Sequence, residues 1–209
     1  MHFIAFGCSH TWGEGLKDVH PKDNIRLKPS DFAWPSLLSN KLKCTVENHA
    51  IRGAGNLEIV WRLLRMQPPT DAYILIQWSY FSRYDFWRFQ NFDKGTRETG
   101  ILNPILQTLN ESNEDWFNDN AIRNWLAIHH CNLWLKDRGN KFLNIVLTHD
   151  KERNPIPDKL QIHNIVDVNN LAGKFPLDTA LDNQHPGPVT QQFICDTVFD
   201  YIKSNNELR

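Results

Sequence analysis

Short apolar runs alternate with amphipathic stretches along the chain. His2-Phe3-Ile4-Ala5-Phe6 is an apolar run rich in strand formers, and Gly7 closes it. Such a run predicts a strand buried in a parallel sheet. Ala72 to Trp78 predicts the central strand and Phe142 to Leu147 a fourth. The shorter runs Cys44 to Glu47 and Ile162 to Val168 complete a set of five. Between them lie helical patterns. Phe32 to Leu42 follows Ser30-Asp31, a pair suited to capping, and tolerates Pro35 in its first turn. A second helix, about Leu57 to Met66, has apolar residues at 57, 60, 61 and 64 and stops at Gln67-Pro68-Pro69. Trp116 to Arg138 predicts a long helix with core positions Trp125, Ile128, Leu133 and Leu135, and Gly139 stands just past its end. Pro186 or Pro188 opens a final helix that carries Val189, Phe193, Val198, Phe199 and Ile202. Glu14 to Ser30 and Asn169 to Gln184 read as loops. Strands alternating with helices indicate a layered α/β domain with a mainly parallel sheet.

The length of 209 residues suits a single domain over 1–209. From Tyr80 to about Asn113 no period is visible, and the stretch exceeds an ordinary connection. It reads as an aromatic-rich insertion at about 80–115, beginning with the cluster between Trp78 and Phe92. Trp78, Tyr80 and Arg83 in that cluster are candidates for lining a substrate groove, with core packing beneath a long loop as the competing reading. The net charge of −1 argues against a nucleic-acid binder. No apolar run reaches the ~20 residues of a membrane helix, and no basic, cleavable leader is visible. These features suggest a cytoplasmic protein. The four cysteines Cys8, Cys44, Cys131 and Cys195 form no C-x-x-C pair and read as reduced, mostly buried thiols.

Candidate chemistry sits near the two ends of the chain. Ser9, in Gly7-Cys8-Ser9-His10-Thr11-Trp12-Gly13, would stand at the carboxyl end of the first strand, where open α/β sheets place ligands. In a turn there its hydroxyl would be exposed and its N–H available to an oxyanion. A serine hydroxyl needs a base, and the base needs a partner that fixes its tautomer. Asp182 and His185, three residues apart in Asp182-Asn183-Gln184-His185-Pro186, supply such a pair. Pro186 biases His185 towards an extended backbone, which would turn its ring to the sheet edge. Asp178 is a less well placed alternative to Asp182. Cys8 is an alternative nucleophile, but neighbouring side chains at a strand end point opposite ways, and Cys8 reads as core. His10 and His49 flank the two site loops without metal-ligand spacing. No metal is expected.

Together these blocks resemble the SGNH (GDSL-type) hydrolase family: Gly7-Cys8-Ser9 with Gly13, then Asn48 to Gly53, then Asp182-x-x-His185-Pro186. The resemblance spans nearly the whole chain. It implies a three-layer α/β/α, flavodoxin-like fold and esterase, lipase or deacetylase activity without a cofactor. It also implies Ser9 as nucleophile, His185 as base and Asp182 as its orienter. The implied oxyanion donors are the N–H groups of Ser9 and Gly53 and a third-block side chain. Two departures stand out. Cys8 replaces the family's Asp before the nucleophile, and Gln77-Trp78-Ser79-Tyr80 replaces its G-x-N-D, so that Ser79 falls where an Asn belongs. The expected function is hydrolysis of a carboxylic ester, with O-acetyl groups on a carbohydrate as a candidate substrate and His10, Trp78, Tyr80 and Arg83 as candidate contacts. The alternatives are a binding or structural protein that keeps the fold, and a thiol enzyme using Cys8.

Overall fold

The computed structural model of the protein describes residues 2–19, 28–80, 114–147, 160, 162–172 and 175–205. Residues 81–113, most of the predicted insertion and Arg83 with it, lie outside the described residues.

Five parallel strands form one sheet in the order β2-β1-β3-β4-β5: β1 His2–Phe6, β2 Val46–Asn48, β3 Ala72–Gln77, β4 Lys141–Val146 and β5 Ile165–Asp167. This is the flavodoxin-like order, and its switch point lies between β1 and β3. The helices are α1 Ser9–Trp12, α2 Trp34–Leu42, α3 Asn56–Met66, α4 Glu114–Asp137, α5 Val168–Ala172 and α6 Pro188–Ser204.

The inner strands β1, β3 and β4 are buried on both faces, and alternate residues feed two cores. Ile4, Phe6, Ile74 and Ile76 pack with Ile59 and Leu63 of α3 and Trp125, Ile128 and Leu135 of α4. Phe3, Ala5, Tyr73 and Leu75 pack with Trp34 and Leu38 of α2 and Ile194, Val198 and Ile202 of α6. The three layers follow from this division. The register pairs Ala5 with both Asn48 and Leu75, so the carboxyl ends of β1, β2 and β3 lie level.

Several predicted details are corrected. In α3 the period is right but the phase is not. The fully buried positions are Asn56, Ile59 and Leu63, while Leu57 and Leu64 are exposed. A polar residue, Asn56, anchors the inner face, so a stripe drawn from apolar residues alone is rotated about the axis. In α4 Leu133 is 50% exposed, and Val189 at the start of α6 is also exposed. Ser30 and Asp31 do not cap α2, whose N-cap is Ala33. Instead Ser30 Oγ donates to Asp18 and accepts the Phe32 N–H. Strand β5 is shorter than its apolar run. Val168, read as its last residue, begins α5, whose other residues lie within the stretch predicted as loop. Gly139 is as expected, ending α4 with φ 77°.

Candidate active site

The carboxyl edge of the sheet gathers the predicted residues. Gly7 brings β1 into α1, and only glycine fits there: a Cβ would lie 2.0 Å from Thr11 Oγ1. Ser9 is the first residue of α1 and is 1% exposed, where an open turn would have left it accessible. It is covered because α1 is drawn against three other elements. Thr11 Oγ1 donates to Gln77 Oε1 (2.5 Å), which also accepts from Trp34 Nε1 (2.6 Å). The Thr11 carbonyl accepts from Asn48 Nδ2 (2.7 Å), and the His10 carbonyl from Gln191 Nε2 (3.1 Å). Ser9 Oγ has no hydrogen-bond partner among the described residues. Cys8 is fully buried in the core cluster of α3 and α4, which fits its predicted core role.

The loop before α6 folds back as a narrow hairpin. Thr179 and Pro186 bridge in antiparallel fashion, and Asn183 turns the tip with φ 55°. The turn lays Asp182 against His185. Asp182 Oδ2 lies 2.6 Å from His185 Nδ1, and Oδ1 accepts the N–H groups of Gln184 and His185 at 3.0 Å each. Burial pushes the Asp182 carboxyl up, but the hydrogen bonds from the Gln184 N–H, the His185 ring and the His185 N–H outweigh it and hold the group below its ordinary value. Gly15 seals the other side of this carboxylate. It has φ 80°, a Cβ on it would meet Asp182 Cγ at 2.5 Å, and its carbonyl accepts the Leu181 N–H.

Asp178 plays a different part from the alternative considered above. It accepts the N–H groups of Val189 and Thr190 and the Thr190 hydroxyl, so it caps α6. Burial raises its carboxyl, and these bonds bring it below the ordinary value.

A carboxylate on Nδ1 fixes that nitrogen as the N–H and leaves Nε2 as the basic one. Nε2 lies 3.5 Å from Oε2 of Glu14, which opens the predicted loop Glu14 to Ser30. Glu14 also accepts hydrogen bonds from Nε (2.9 Å) and Nη2 of Arg52. No direct Ser9–His185 hydrogen bond is formed among the described residues. Such catalytic bonds often close only in the substrate complex. Between His185 and Tyr80 stands His10. Its ring meets His185 edge-on at 5.8 Å and Tyr80 at 5.3 Å.

The second block follows the end of β1: the His49 N–H donates to the Ala5 carbonyl and the Ile51 N–H to the Gly7 carbonyl. Gly53 takes φ 70°, a conformation that favours glycine. His49 hydrogen-bonds Glu47 (2.9 Å) and takes no part in the cluster.

The third block departs most from expectation. The Ser79 N–H donates to Asn56 Oδ1 (2.7 Å), and Asn56 Nδ2 donates to the Ser79 carbonyl (3.2 Å) and to Asn124 Oδ1 (2.7 Å). Ser79 Oγ, in a residue 4% exposed, has no hydrogen-bond partner among the described residues. Trp78 is a correction to the list of groove residues. It is 0% exposed, packs in the core cluster and donates from Nε1 to Asn144 Oδ1 (2.8 Å). No group of three or more His, Cys, Asp or Glu that could hold a metal occurs among the described residues, and no helix among them is long and apolar enough to cross a membrane. The cysteines are free, and burial pushes the thiols of Cys131 and Cys195 up to about 12.

No family model and no curated protein matches the sequence. Solved structures do resemble the fold. TesA matches with a TM-score of 0.61 at 12% identity, over 98% of this chain and 99% of its own. The psychrotrophic esterase EstA from Pseudoalteromonas sp., in a structure inhibited by monoethylphosphonate, matches at 0.55 and 14%, over 99% and 98%. A carbohydrate esterase described as having divergent catalytic and non-catalytic binding functions matches at 0.55 and 11%, over 97% of this chain and 68% of its own. The parallel five-stranded order and these neighbours give the chain the three-layer α/β/α fold of the SGNH hydrolases, the family its motifs resemble.

Proposed function

We propose that the protein is a serine esterase that hydrolyses a carboxylic ester, with O-acetyl groups on a carbohydrate as its substrate class. The observation that carries this reading is the Asp182–His185 pair at 2.6 Å, whose imidazole meets the ring of His10, the residue after the buried Ser9. Ser9 Oγ attacks the ester carbonyl as His185 Nε2 takes its proton, and Asp182 stabilises the imidazolium. The N–H groups of Ser9 and Gly53 receive the oxyanion, with Ser79 as the third donor. His185 then protonates the leaving alcohol, and a water activated by the same imidazole releases the acid. This cycle calls for no cofactor. His10 borders His185, Tyr80 borders His10, and the two are the aromatic contacts for substrate. The substrate on this reading is a small molecule or a carbohydrate that carries an ester.

A non-catalytic binding role on the same fold is the second reading. It is favoured by Asn56, which holds both backbone groups of Ser79 where the family has an oxyanion donor. Labelling with a fluorophosphonate, read by intact mass and peptide mapping, separates the two. The esterase gives one adduct on Ser9, lost in Ser9→Ala and slowed in His185→Ala. A folded protein that takes no adduct is the binding protein. An adduct or carbamidomethylation on Cys8 with activity surviving in Ser9→Ala would mark the thiol enzyme instead.

A further inference from the structure

We propose that Glu14 and Arg52 form the leaving-group subsite and select a polyhydroxylated alcohol, such as a sugar, over an alkyl or aryl alcohol. The proposal rests on the esterase reading above.

His185 Nε2 is the atom that must hand a proton to the departing alkoxide, so the leaving oxygen comes within hydrogen-bond reach of it. Whatever else borders Nε2 therefore borders the alcohol. Glu14 Oε2 stands 3.5 Å from that atom. Arg52 grips the same carboxylate through Nε and Nη2, and the two side chains are 21% and 36% exposed, open enough to meet a ligand. Backbone geometry fixes the pair. Glu14 lies between Gly13 and Gly15, both at φ 80°, and Arg52 directly precedes Gly53 at φ 70°. The pair thus bridges the nucleophile loop and the oxyanion loop.

A carboxylate only accepts hydrogen bonds, and a guanidinium only donates them, in a fixed fork. A vicinal diol satisfies both: one hydroxyl donates to Glu14 while the other accepts from Arg52. An alkyl or aryl alcohol placed there would strip water from the ion pair and return nothing. Sites that hydrogen-bond a substrate hydroxyl can reject analogues lacking it by about 10⁴-fold. Partial exposure of this pair lets water compensate, so a preference of about 10–10² is expected.

The test compares kcat/KM for methyl glucoside acetylated only on its primary hydroxyl, which keeps its vicinal ring hydroxyls free, and for phenyl acetate in wild type, Arg52→Gln, Arg52→Lys and Glu14→Gln, with thermal midpoints measured alongside. The ratio of sugar ester to phenyl ester is expected to fall about tenfold or more in Arg52→Gln and Glu14→Gln. The fall should lie mainly in KM, and Arg52→Lys should recover part of it. A bracket that merely ties two loops together would lower both substrates alike, and an unchanged ratio overturns the proposal. Binding of methyl glucoside, followed by ligand-observed NMR, reads the subsite without turnover. Binding by wild type that is lost in both variants supports the subsite even if Ser9 takes no fluorophosphonate and the esterase reading fails. Absence of binding by wild type together with an unchanged ratio would remove it while leaving a labelled Ser9, and the esterase, intact.

Discussion

Two loops at the carboxyl edge of the sheet solve their hydrogen-bond problems in opposite ways. In the loop before α6, the side chains carry the design. Asp182 takes two backbone N–H groups and the His185 ring, and Gly15 closes over its carboxylate. In the loop after β3, the backbone is satisfied and the side chain is not. Asn56 clamps the Ser79 N–H and carbonyl, while Ser79 Oγ is buried without a partner among the described residues. On the esterase reading, proton transfer falls to a well-bonded pair, and charge stabilisation falls to a hydroxyl without a partner among the described residues. A buried donor kept unsatisfied costs free energy, and it is tolerated most readily where a reacting atom will use it.

The comparison can be broken first on its rigid side. Asp182→Asn should lower kcat by about 10⁴-fold, because the imidazole loses the partner that sets its tautomer. Ester turnover within tenfold of wild type in that variant would remove Asp182 from the mechanism. The other side gives a smaller effect. Ser79→Ala should reduce kcat by about 10²-fold with KM little altered, the signature of a donor that acts in the transition state. Equal kcat in both proteins would mean that the hydroxyl does no chemistry.

Asn56→Ala strands the buried Ser79 N–H and leaves the Asn124 amide without this partner. A loss of about 2 kcal/mol is expected by urea denaturation, accompanied by a drop in kcat as the third block drifts. Retained stability would show that the clamp is replaceable by water.

The smallest effect is the dependence on pH. Asp178 and Asp182 are both held below the ordinary carboxyl value in the fold. Their contribution is present above that ordinary value and disappears as pH falls through the lowered one, because the unfolded chain binds protons first. Asp178→Asn should therefore cost about 1 kcal/mol at neutral pH and show a shallower decline towards about pH 3. A melting curve that steepens in acid would contradict this assignment.

Much of this arrangement could be read from residues alone, and the exceptions share a cause. Continuous apolar runs mark β1, β3 and β4 because a strand buried on both faces has no polar alternation to confuse it. Asp182 and His185 are legible because their contact is local, closed by one turn. Glu14, Arg52, Asn48, Asn56, Gln77 and Gln191 are not. Each acts on a residue brought near only by folding, as when Gln191 reaches His10 across most of the chain. Ordinary amides and charges carry no periodic signal. Trp78 shows the same limit. An indole suits a groove as well as a core, and what decides is Asn144 on the neighbouring strand.

The suspension of α1 has a consequence for biosynthesis. Its four residues hang from Asn48 on β2, Gln77 on β3 and Gln191 on α6. Gln191 also accepts the Trp34 N–H that opens α2. Ser9 precedes α6 by most of this sequence, yet Gln191 of α6 helps to set its position. A nascent chain still tethered to the ribosome before α6 emerges is thus expected to carry Ser9 on a loop that is not yet held in place.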